Sequence, residues 1–137
     1  MITCPLTSAF AAGFTLFYLF LSFRVGYLRG SPVMKLIFKM DAVVAETTLH
    51  RNIRAHGNFS EYVPIFLVLL LLLEVQTALA SEYLLILSLI FTYGRFAHAL
   101  CFAFYEHNPF LRISGMSCTY LCLGIFALQL LSQLFSL

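Results

Sequence analysis

Four long apolar runs, joined by short connections, limit what this chain can become more than any other feature. A bilayer hydrocarbon core of about 30 Å needs roughly 20 apolar residues per helix. Spans at approximately 6–23, 42–74, 83–105 and 113–136 meet that need and nearly exhaust the 137 residues. No room is left for a separate soluble domain, so residues 1–137 read as one membrane domain. With 61% hydrophobic and only 10% charged residues, the chain has too little polar surface to cover a soluble globule. The expectation is an all-α, multi-pass integral membrane protein, a four-transmembrane-helix bundle embedded in membrane lipids. Arg24 and Arg29 follow the first apolar run instead of preceding it, which argues for a retained span over a cleaved secretory peptide. A net charge of +2 carried by clustered basic residues excludes nucleic acid as a partner.

The connections carry the polar chemistry. The first span is rich in Phe and Leu, has Gly13 as a point of close helix approach, and ends at Arg24. Residues Arg24 to Lys39 then carry Arg24, Arg29, Lys35 and Lys39 without an acid, interrupted by Gly30-Ser31-Pro32, and read as a loop or surface segment. Within it, Val33 to Met40 admits an amphipathic reading, with Met34, Ile37 and Phe38 toward lipid and Lys35 and Lys39 toward water. Asp41 is the expected N-cap of a second helix that starts near Ala42 and, at 1.5 Å per residue, reaches about 50 Å. Pro64 is expected to kink it where its polar part meets the apolar run. An acidic turn from Glu74 to Glu82 leads to the third span, which contains Arg95 and His98 one turn apart. Glu106-His107-Asn108-Pro109 breaks that helix before the fourth. Every Lys and Arg falls in or beside the first connection or around the end of the third span. The positive-inside rule then places those regions in the cytoplasm and both termini outside.

On a helix at 100° per residue, Arg54, Asn58 and Glu61 lie at about 0°, 40° and −20°, with Arg51 at about 60° and Tyr62 at about 80°. This polar stripe abuts the apolar run from Ile65 to Leu73. Arg95, inside a span, must face the bundle interior, water or an acid. One reading has these charges neutralise each other, Glu61 pairing with Arg54 or Arg95 to fix helix register. The bases outnumber the acid, however: Arg51, Arg54, Arg95 and Arg112 against Glu61 leave about three positive charges for an anionic ligand or lipid headgroups to meet. A guest with several carboxylates and one ammonium suits the set, and glutathione has that pattern together with a thiol. His56 points about 200° away from Arg54 and reads as a helix-contact residue; His50 and His107 read as solvated. Cys4, Cys101, Cys118 and Cys122 include no CxxC pair and read as packing residues, and no metal site is expected.

The run Arg54-x-His56-x-Asn58-x-x-Glu61-Tyr62-x-Pro64, with Gly94-Arg95-x-x-His98 and Arg112-x-Ser114-Gly115-Met116 downstream, resembles the MAPEG family, the membrane-associated proteins in eicosanoid and glutathione metabolism, and is most like its small bacterial inner-membrane members. The resemblance implies a homotrimer of four-helix subunits with glutathione, as co-substrate, between neighbours and open to the cytoplasm. It places Arg54, Asn58, Glu61 and Tyr62 at glutathione-binding positions, with Arg51 nearby and either Arg24 or Arg29 as a first-helix arginine. His98 stands where some relatives carry a tyrosine, as does Phe102, and Arg95 belongs to the same set. Arg112 matches the catalytic arginine that stabilises the thiolate. The implied activity is conjugation of that thiolate to lipophilic electrophiles, reduction of lipid hydroperoxides, or both. The segment between the first two spans is longer than in the bacterial relatives. The alternative is a non-enzymatic four-span protein: a small multidrug-type transporter using Glu61 as its proton-coupled acid, or a MAPEG-like scaffold.

Overall fold

A computed structural model of the chain describes residues 3–30, 32–38, 44–76, 79–105 and 107–135. The described residues form helices and their connections, with no strand among them: α1 (Pro5–Leu28), α2 (Pro32–Phe38), α3 (Glu46–Gln76), α4 (Ser81–Phe104) and α5 (Pro109–Leu134). All but α2 are long and apolar enough to cross a membrane, so the protein is an all-helical, multi-pass integral membrane protein.

Helix limits follow local chemistry more closely than hydropathy. α1 does not stop at Arg24; it runs on to Leu28, because arginine ends an apolar pattern but is a good helix former. The stop comes at Gly30, whose φ of +60° is a left-handed conformation that favours glycine. α5 likewise starts at Pro109, ahead of the expected 113. Proline's fixed φ suits the first helical position, where its missing N–H costs nothing, and the Asn108 side chain accepts the Leu111 N–H at 3.1 Å, a helix N-cap. α3 begins at Glu46, with the Ala45 carbonyl accepting the N–H groups of Thr48 and Leu49; the expected cap Asp41 and start at Ala42 lie outside the described residues, as does Glu106. Over its 31 residues α3 runs unbroken through Pro64.

The core is a stack of phenylalanine rings shared by all four spans. Phe66 of α3 lies flat on Phe91 of α4, ring centroids 3.9 Å apart and 7° from parallel. Phe14 of α1 meets Phe66 edge-on at 5.9 Å, and Phe126 of α5 stacks on Phe66 with centroids 5.6 Å apart. Stacked and edge-on pairs of this kind add about 0.5–1.5 kcal/mol each beyond area burial. The largest helix contact is α4 against α5, made at Gly94 and Gly115. A Cβ on either would lie 2.8 Å from the other's carbonyl oxygen, the close backbone approach that small residues permit in membranes. Gly13 makes no such approach: a Cβ there would meet nothing within 4 Å. Buried hydroxyls inside the apolar helices bond back to their own backbone, as Ser88 does to Leu84 and Thr119 to Gly115, which satisfies these donors within the helix.

Glu74 does more than begin a turn. Its carboxylate accepts the backbone N–H groups of Leu6 and Thr7, both at 2.9 Å, and the Thr7 hydroxyl at 2.7 Å, so α3 caps the N-terminus of α1 across the bundle. The Cys4 side chain supplies no cap, and a carboxylate also complements the positive end of the helix dipole. Hydrogen bonds to a charged group are worth about 1.5–3 kcal/mol. Glu74→Ala is therefore expected to cost about 3 kcal/mol and Glu74→Gln less, read as unfolding in detergent; an unchanged midpoint in both would show that the cap contributes nothing.

Candidate functional site

The polar side chains gather where the C-terminal end of α1, the first half of α3, the last half of α4 and the start of α5 meet. Arg95 is the most enclosed, 1% exposed, because it lies on the α4 face that packs against both α3 and α5. Its Nε donates to the Thr119 hydroxyl at 2.8 Å, one Nη to the Asn58 carbonyl at 3.4 Å and the other to the Met116 sulfur at 3.4 Å. The guanidinium carbon stands 4.8 Å from the centre of the Tyr62 ring. Arg95 thus faces the interior as expected, but with a hydroxyl, a carbonyl, a sulfur and a π-face around it instead of an acid. Tyr62 extends the network outward, its hydroxyl 3.2 Å from that of Tyr120.

The α3 stripe takes the opposite side of its helix from the packed residues. Asn52, Ala55, Phe59, Val63 and Phe66 are buried, a three- and four-residue spacing that holds one face in the bundle, while Arg54 and Glu61 are exposed. Asn58 gives one amide hydrogen to the Arg54 carbonyl at 3.0 Å, leaving its side-chain oxygen available. Pairing of Glu61 with Arg54 or Arg95 is not found: among the described residues the recorded ion pair is His50 with Glu46, at the exposed start of α3. Nor does Glu61 occupy a central path through the bundle, where a proton-coupled transport acid would sit.

Arg51 and Arg112 come together from distant parts of the chain. Both line a recess of about 180 Å³ with Cys101, Phe102, Tyr105, His107 and Pro109. Arg51 donates an Nη hydrogen to the Cys101 carbonyl at 3.3 Å, and the exposed Arg112 guanidinium stands 5.7 Å over the Phe102 ring. The recess thus brings two guanidinium groups into one concavity, and arginine's forked donors suit carboxylates and other planar anions.

Of the two first-helix arginines, Arg24 is the one whose side chain packs against α3 and α4. Its Nε donates to the Asn52 side-chain oxygen at 2.6 Å and an Nη to the Ala103 carbonyl at 3.0 Å, and its guanidinium covers Phe104 at 4.0 Å. Arg29 is exposed. Asn52 and Thr119 were missed. Asn52, 2% exposed, also donates to the Thr48 carbonyl; the available signal was a polar residue three positions before Ala55 on the buried face of α3. His98 is buried against Gly115, with its ring 4.9 Å from that of Phe102. His56 makes the expected helix contact, its Nε2 2.9 Å from the Ser22 hydroxyl of α1.

A family profile described as the MAPEG family matches residues 7–132. No curated protein and no solved structure matches the chain.

Proposed function

The chain belongs to the MAPEG family, and from that premise we propose that it is a glutathione-dependent membrane enzyme, joining the glutathione thiolate to lipophilic electrophiles or using it to reduce lipid hydroperoxides. The recess shared by Arg51 and Arg112 is the observation that supports this reading best. The carboxylates of the tripeptide would be met by Arg51 and Arg54, its ammonium by Glu61, and its amides by Asn58, with Tyr62 along the edge. Arg95 and His98, packed behind, hold the α3–α4–α5 junction in shape. The stripe lies on the outer face of one subunit, so a neighbouring copy in a homotrimer would wall the site and leave it open to the cytoplasm of a bacterial inner membrane.

Arg112 supplies the chemistry. A cysteine thiol titrates near 8.5, and a guanidinium that lowers this by two units contributes about 2.8 kcal/mol in favour of thiolate. In conjugation the sulfur lone pair forms a bond to the electrophilic carbon while the leaving group departs with its electron pair. In peroxide reduction the sulfur attacks one oxygen, the O–O bond breaks, the alcohol leaves with a proton, and a second glutathione converts the sulfenic acid to disulfide and water. The electrophile arrives from the bilayer, and the exposed apolar faces of the four spans keep the site within its reach.

Calorimetric titration with glutathione, in detergent and in lipid, tests the reading directly. Saturable binding at or below millimolar concentration is expected, and its absence in both media overturns the proposal. A transporter of unrelated substrates would be indifferent to the tripeptide.

A further inference from the structure

The segment between the first two spans, a loop or amphipathic surface by its sequence, contains α2. Three side chains on one arc of about 100°, at Val33, Leu36 and Ile37, are 62%, 82% and 61% exposed. Met34 does not join them toward lipid as the sequence suggested; its methyl carbon comes within 3.8 Å of where a Cβ on Gly26 would be, so α2 folds back over the last turns of α1. Lys35, about 200° from Val33 on the wheel, is laid against the turn, its Cε 3.1 Å from a Cβ position on Gly30. Beneath α2 a groove of about 270 Å³ runs along α1, lined by Phe20, Phe23, Arg24, Tyr27 and Met34. From Phe20 to Tyr27 it follows α1 for about 10 Å, reaching the last turn of that helix. No acidic residue precedes Asp41 in the chain, and among the described residues no ion pair is formed by Arg24, Arg29 or Lys35.

We propose that α2 and this groove hold an anionic phospholipid of the leaflet where α1 ends, with Lys35 and Arg29 at its phosphate, an acyl chain between α1 and Met34, and Val33, Leu36 and Ile37 set into the acyl boundary. A basic segment with an apolar face beside a span is the pattern that anionic membrane surfaces attract, at about 1 kcal/mol per basic residue. The long connection is thus a lipid-binding element, independent of the glutathione reading.

The chain has no tryptophan, so Ile37→Trp gives a single fluorescent reporter. The full-length protein is placed in phosphatidylcholine nanodiscs containing a small fraction of either brominated phosphatidylglycerol or brominated phosphatidylcholine. Stronger quenching by the brominated phosphatidylglycerol at equal fraction is expected, with about fivefold weaker apparent affinity after Lys35→Gln. Leu36→Trp, on the same face, repeats the measurement should the first reporter disturb the helix. Equal quenching by the two lipids would reduce the surface to ordinary bilayer contact and overturn the proposal. Quenching by neither would place the face in water or under another protein and overturn it too.

Discussion

Arg112→Ala is expected to lower kcat/KM toward a lipophilic electrophile by at least about 25-fold at pH 7 while leaving glutathione binding largely intact. The factor comes from thiolate supply: a thiol titrating near 8.5 is about 3% ionised at pH 7, and one held two units lower is about 76% ionised. If the guanidinium also stabilises charge as the transition state forms, the loss grows toward the 10²–10³ typical of removing one preorganised donor. An arginine that lowers the thiol's pKa contributes most below 8.5, so the variant's rate should climb about tenfold per pH unit until it approaches wild type above that point. Arg112→Lys keeps a charge but not the fork, and should fall between them. Thiolate ultraviolet absorbance of the bound tripeptide, read beside the rates, separates loss of ionisation from loss of folding. Undiminished absorbance in Arg112→Ala would remove this residue from the chemistry.

The four spans were legible because their requirement is local: about twenty apolar residues in a row leave few alternatives to a membrane helix. Their ends were less so. Arg24 marks where hydropathy falls, not where hydrogen bonding stops, and Pro109, read as a breaker, opens the next helix. The polar stripe of Arg54, Asn58 and Glu61 was visible from spacing, and Arg95 was visible as a charge that lipid would not tolerate. Contacts between residues far apart in sequence carry no periodic signal. Glu74 reaches Leu6 and Thr7 across 68 and 67 positions, Arg24 reaches Asn52 across 28, and Arg51 and Arg112 meet only because α3, α4 and α5 converge. The aggregate excess of arginine was therefore readable, while its division into an enclosed Arg95, a clamped Arg24 and the recess pair depended on the packing.

That division rests on the glycine contact between α4 and α5, and Gly115→Ala is expected to cost about 2.5–6 kcal/mol. The new carbon would come 2.8 Å from the Gly94 carbonyl and 2.9 Å from the His98 nitrogen. Both are backbone atoms in regular helices, so neither can swing aside and the helices must separate. Overpacking alone costs about 1–3 kcal/mol. Separation also draws Thr119 away from the Arg95 Nε, now 2.8 Å distant, and a lost hydrogen bond to a buried charge adds about 1.5–3 kcal/mol. Gly94→Ala meets the same carbonyl contact from the other side, and a Cβ there would also lie 2.9 Å from the Thr119 hydroxyl. Gly124→Ala is the control: its Cβ would meet nothing within 4 Å, and the gain in helix propensity, up to about 1 kcal/mol, should leave it neutral or slightly more stable. Unfolding in detergent compares the three. Similar losses at Gly115 and Gly124 would assign the effect to α5 alone and remove the contact as its cause; losses at Gly94 and Gly115 only would identify the backbone approach of α4 and α5 as what keeps an uncompensated guanidinium inside the bundle.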